Sequence, residues 1–129
     1  MGDFIDPEVL DKGPDFFQAQ VATLKAVKGL GQPADLAAAT ANELSSIAFV
    51  SADTSLANGD VSGRKLILNA KADLDVGTGG GDTDWFCYCS ATKILAGFDM
   101  ALAGRTKLTG LAAASKFNVG AAQIEYRDP

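Results

Sequence analysis

Histidine is absent from this chain of 129 residues. That removes the imidazole base of Ser-His-Asp and Cys-His systems, and with it the side chain that most often holds zinc or haem. Basic residues are few: 11 Lys and Arg against 16 Asp and Glu leave a net charge of −5. They are also scattered, as at Lys65 and Lys71 or Arg105 and Lys107, whereas a protein that neutralises many phosphates clusters them. Direct contact with nucleic acid is therefore not expected, while docking onto a basic protein surface would suit the acidic excess. No apolar run approaches the roughly 18 residues that a membrane span needs. The opening MGDFIDPEVL has neither the basic start nor the apolar run of a secretion signal. Asp6 stands where N-myristoylation requires Ser or Thr, so no membrane partner is expected. Gly29-Leu30-Gly31 and Gly77-Thr78-Gly79 do not complete G-x-G-x-x-G, and no Gly-Lys-Ser/Thr follows a glycine loop. No cofactor, catalytic residue or enzymatic activity is expected.

What is present is an ordinary globular balance, 47% hydrophobic and 21% charged, enough for one core. A single domain spanning 1–129 is expected, with residues 1–20 as a helical N-terminal arm. Asp6-Pro7-Glu8 reads as a helix start: an N-cap, a proline at the first helical position and an acid beside the positive end of the dipole. Gly13-Pro14 interrupts it, and a second short helix over Asp15–Gln20 follows. Strand character is read at Val21–Lys28, a short helix or connection at Pro33–Thr40, and a strand at Ser46–Val50. Asn58-Gly59-Asp60 signals a turn. Alternation in RKLILNAKAD, Arg64–Asp73, predicts one half-buried strand. Asp84–Ser90 and Lys93–Phe98 read as one long strand or two short ones, and further strands are read over Lys107–Leu111 and Asn118–Tyr126, the last lying at a sheet edge. The fold class is mainly β: an antiparallel β-sandwich, of jelly-roll or immunoglobulin-like kind, with a short helical N-terminal segment. The expected core is Leu24, Ile47, Phe49, Leu66, Leu68, Trp85, Cys87, Ile94 and Ile124.

The stretch GTGGGDTDWFCYCS, residues 77–90, is the densest in chemistry. On a strand, Trp85, Cys87 and Cys89 share one face while Phe86 and Tyr88 share the other. Two cysteines at this spacing lie about 6.5–7 Å apart with parallel side chains, unfavourable for a mutual disulfide. Without further Cys or His they cannot complete a tetrahedral zinc site. They read as buried small hydrophobes, with intermolecular pairing or metal as the alternatives. A hairpin about Gly77–Gly81 would bring Asp73 and Asp75 near Asp82 and Asp84. These carboxylates are either solvated loop charge or the ligands of a hard cation such as Ca²⁺. Phe4, Ile5, Phe16 and Phe17 are interface candidates, the alternative being that they pack on their own sheet.

Several segments resemble small virion structural proteins of tailed bacteriophages. Asn58–Lys65 (NGDVSGRK), followed by an alternating apolar strand, is similar to a phrase of that family. The ending Ala122–Pro129 (AQIEYRDP) resembles its I-E-I-R-D-P. TDWFCYCSATKILAG, residues 83–97, resembles a strand–turn–strand carrying a Leu-Leu pair, and QPADLAAAT, residues 32–40, sits where the family has Q-P-x-x-Y-x-E-A. Leu36 departs from the pattern by replacing the aromatic, and the cysteine pair is also unusual. The resemblance implies a virion structural protein without enzymatic activity, and does not itself say capsid, neck or tail. A small, acidic, mostly β domain with a helical arm suits an accessory or decoration-type part. Decorating or cementing the capsid is the role expected first for such a part. It would act through protein–protein contacts with itself as a homo-oligomer and with other virion proteins, such as the major capsid protein. A neck, tail or fibre-attachment component is the alternative. A ligand- or Ca²⁺-binding β-sandwich module is a reading of another class. Localisation in the virion, assembled in the host cytoplasm, agrees with free thiols.

Overall fold

A computed structural model of the chain describes residues 3–29, 32–58, 63–77, 80–100 and 108–126. The chain is mainly β, in antiparallel sheets. Strand β1 is Phe4–Ile5, and helices α1 (Pro7–Lys12) and α2 (Pro14–Gln20) follow it. The expected cap is in place: the Asp6 carboxylate accepts the Glu8 N–H at 3.1 Å. Lys12 in the last turn pairs with Glu8 at 2.7 Å, one helical turn apart. Gly13, at φ 82, breaks the chain between the two helices, a conformation that glycine adopts without steric cost.

Strand β2 (Thr23–Val27) leads to α3 (Leu36–Ala41), whose cap Asp35 accepts the Ala38 N–H at 2.9 Å. Strand β3 (Glu43–Ala48), a 3₁₀ turn (Ser51–Asp53) and β4 (Thr54–Asn58) come next. Then follow β5 (Arg64–Leu68), β6 (Lys71–Asp75), β7 (Trp85–Cys89), β8 (Ile94–Asp99), β9 (Lys116–Val119) and β10 (Ala122–Tyr126). Asn58 pairs with Arg64, joining β4 and β5 antiparallel. The Asn58-Gly59-Asp60 turn expected there falls largely outside the described residues, as does Arg127-Asp128-Pro129 at the end of the chain. A five-stranded sheet runs β1-β8-β7-β2-β3, a three-stranded sheet β10-β5-β4, and β6 pairs with β9. β10 thus lies at a sheet edge, as expected.

Two expected strands are each divided. Arg64–Asp73 breaks at Asn69-Ala70, and Asn118–Tyr126 breaks at Gly120-Ala121. The breaks face each other: β5 pairs with β10 up to Leu68↔Ala122, and β6 resumes with β9 at Lys71↔Val119. Both chains advance three residues between those pairs, so a single antiparallel ribbon bends without losing register. Lys107–Leu111 is not a strand over its described part: only Leu111 bridges, to Gly81.

The main core cluster draws Leu24, Ala26, Phe86, Tyr88 and Ala96 from the five-stranded sheet. Leu66, Leu68 and Ile124 come from the three-stranded sheet, and Leu74, Phe117 and Val119 from the β6–β9 pair. A second cluster lies on the other face of the five-stranded sheet: Val27, Trp85, Cys87, Cys89 and Ile94, with Ala39 of α3. The partition of β7 between them follows the alternation read in its sequence. Being covered on both faces, its five residues are all buried. Ile47 is half-buried rather than fully buried; the other expected core residues are buried. Among the described residues, no helix is long and apolar enough to cross a membrane.

Candidate functional site

The glycine stretch does not close a hairpin between β6 and β7. β6 leaves with β9, and Gly81 instead exchanges both backbone hydrogen bonds with Leu111, at 3.0 and 2.9 Å. Gly80, at φ +59, lies so close to the Leu111 carbonyl that no Cβ fits. Thr83 continues the contact, its N–H donating to the Leu108 carbonyl at 2.9 Å and its hydroxyl accepting the Leu108 N–H at 3.0 Å. The three consecutive glycines thus include two whose backbone lies against a distant segment. Only the pairing partner was missing from the sequence.

The four aspartates are consequently not gathered. Asp75 is exposed and pairs with Lys116 across the β6–β9 ribbon. Asp73, at φ 60, donates its N–H to the Asn118 side chain at 3.1 Å. The Asp82 carboxylate accepts the Gly110 N–H at 2.8 Å. Asp84 is buried and accepts the Gly29 N–H at 2.7 Å. Among the described residues, no three Cys, Asp or Glu side chains converge as a metal-ligand set. The Asp82 and Asp84 carboxylates serve the backbone and that of Asp75 serves a lysine instead.

Cys87 and Cys89 are free and buried. Burial pushes the Cys87 thiol up to about 12 and the Cys89 thiol up to about 11, desolvation of the thiolate being the leading cause. Thiols so far from ionisation are poor nucleophiles and poor metal ligands. Among the described residues, the Trp85 indole N–H beside them has no hydrogen-bond partner, and neither has the Ser45 hydroxyl.

The four proposed interface residues divide. Phe17 is fully buried in the main core, which withdraws it as a contact for a partner. Phe16 is half-buried, its ring flanked by Lys12 and Lys93 ammonium groups at 5.2 and 5.7 Å. Ile5 is half-buried against the main core, and Phe4 packs on Trp85 with ring centroids 5.7 Å apart. The segment read as an N-terminal arm is therefore integrated: β1 pairs with β8, while Val9 and Phe17 are buried in the core. Sequence reasoning missed its fastening. Lys93 at the start of β8 donates to Asp6 at 2.9 Å and also pairs with Glu8. The sequence signal was an acidic helix start, but the cation it meets lies 87 residues away.

One surface cleft, about 320 Å³, opens beside Phe86, Tyr88, Phe98 and Met100, with the Gly120–Gln123 corner as its other wall. It holds aromatic and aliphatic side chains and the Gln123 amide, a lining without an acid–base pair or a nucleophile. Comparison with protein-family models, curated proteins and solved structures finds no match for the chain.

Proposed function

We propose that this chain is a non-enzymatic structural protein of a tailed-bacteriophage virion, decorating or cementing the capsid through protein–protein contacts. The observation that carries this reading is the meeting of the two segments on which the resemblance chiefly rests. The strand that follows Asn58-Gly59-Asp60-Val61-Ser62-Gly63 is β5, and it pairs residue for residue with β10 of the AQIEY ending, from Tyr126↔Arg64 to Ala122↔Leu68. Segments distant in the chain thus form one structural unit. The architecture in this reading is a sandwich, with the five-stranded sheet as one layer and the bent β5–β6/β9–β10 ribbon with β4 as the other. The shared core cluster supports it.

Support also comes from the polar groups. The Asp82 and Asp84 carboxylates accept backbone N–H groups of the chain and Asp75 pairs with Lys116, and the thiols are buried. Surface and sheet edges remain as the means of action. β10 and β4 terminate the three-stranded sheet, and β1 and β3 terminate the five-stranded one, offering edges for copies of the chain or for the larger lattice. Mass spectrometry of purified particles separated into heads and tails tests the placement. Recovery with heads supports capsid decoration; recovery with tails alone replaces it with a neck, tail or fibre-attachment role.

A further inference from the structure

Gly97 of β8 lies between Phe4 of β1 and Cys87 of β7 in one row across the sheet, paired to each. Having no side chain, it leaves nothing of β8 over the Cys87 side of that row. The Phe4 ring occupies the space, close enough that a Cβ on Gly97 would collide with it. Phe4 and Leu36 are the partly buried residues packed on the Trp85–Cys87–Cys89 cluster. Part of the cover over these thiols is therefore one ring on the shortest strand of the fold, two residues long.

Besides its two ladder pairs with β8, that strand is fastened at each end. At one end the Asp3 carboxylate accepts the Asp99 N–H at 2.8 Å. At the other, Asp6 donates its N–H to the Leu95 carbonyl at 2.9 Å and binds Lys93 through its carboxylate. Between them Phe4 and Ile5 are only half-buried. A groove of about 310 Å³ runs along the strand, between it and Gln32–Asp35, and reaches Ile94 of the thiol cluster. A ladder only two residues long, at the edge of its sheet, is where local opening occurs without global unfolding.

We propose that β1 is a local door over Cys87: Asp3–Asp6 separates from β8 while the sheets stay folded, and Cys87 becomes open to modification from solvent. The first helix need not move, because Val9 holds α1 in the core. Cys89 lies further along β7, paired with Thr23 and Ile94, so Cys87 is the thiol that the door governs.

The test is alkylation of the full chain by iodoacetamide, the thiolate displacing iodide and its proton passing to solvent. Site-resolved mass spectrometry follows each cysteine across a series of sub-denaturing urea concentrations, beside the global stability from urea unfolding. Opening of β1 exposes little surface, so the Cys87 rate should be nearly independent of urea while Cys89 follows the global slope. Phe4→Ala should accelerate Cys87 at least tenfold more than its effect on global stability accounts for. Lys93→Gln, which loosens the Asp6 end without touching the ring, should do so in the same direction. Equal rates for both cysteines, each tracking global unfolding in all three proteins, would overturn the proposal.

Discussion

The carbonyl oxygen of Leu111 occupies the place where a side chain on Gly80 would begin. Gly80 also sits at φ +59, where an L residue costs roughly 1–2 kcal/mol before any collision. The obstructing atom is backbone, held by the Gly81–Leu111 pair of hydrogen bonds, and it cannot swing aside. Gly80→Ala should lower stability by about 2 kcal/mol or more, read as a fall in the urea midpoint. Gly29→Ala is the control: its φ of +113 is also positive, but among the described residues nothing lies within 4 Å of the added methyl, so its cost should be backbone strain alone.

Ser45 is buried on β3 opposite Ala26, and among the described residues its hydroxyl has no hydrogen-bond partner. Removing an unpaired buried hydroxyl abolishes a desolvation cost of about 1–3 kcal/mol, while alanine leaves only a small void. Ser45→Ala should therefore stabilise the chain by about 1 kcal/mol. A raised melting temperature checks it.

Stability should fall on both sides of neutrality, for different reasons. Hydrogen bonds from Lys12 and then Lys93 hold Glu8 down to about 2, against an ordinary value of 4.5, and Lys71 likewise lowers Asp53. The folded state thus binds fewer protons than the unfolded chain in this range. The contribution is present above about 4.5 and is lost as pH falls toward 2. Glu8 and Asp53 are largely solvated, so this acid loss is shallow. On the alkaline side the folded state keeps protons that the unfolded thiols release. The contribution of Cys87 and Cys89 is complete below 9 and declines as pH rises toward about 11 for Cys89 and about 12 for Cys87. The slope is about 1 kcal/mol per pH unit for each thiol. Urea midpoints measured from pH 8 to 11 should show this decline, and Cys87→Ala should flatten it.

Calcium should not stabilise the protein. A cation bound only to the native state would raise the melting temperature by mass action, but Asp73, Asp75, Asp82 and Asp84 are dispersed over different contacts. A melting temperature unchanged at millimolar Ca²⁺ is the expected result; a rise would restore the ligand-binding reading.

The local grammar of the chain was legible before its pairing was. Asp6-Pro7 placed a helix start because capping is a property of adjacent residues, and WFCYC partitioned its faces because a strand alternates wherever it lies. The ribbon bend was not legible: nothing in the alternation of Arg64–Asp73 marks a break at Asn69-Ala70. The glycine run misled for the same reason. Its backbone freedom was plain, but the segment needing it, Leu108–Leu111, lies across β7 and β8 in the sequence. Lys93 carried no local mark of its role, since its two carboxylates belong to the opposite end of the chain.

A three-dimensional reconstruction of intact particles, at a resolution that traces strands, tests the proposed role most directly. The account predicts repeated copies of this chain on the outer surface of the capsid shell, each with β10 beside β5 and Trp85 enclosed. Its density confined to the tail, or missing from every position in the particle, would contradict it.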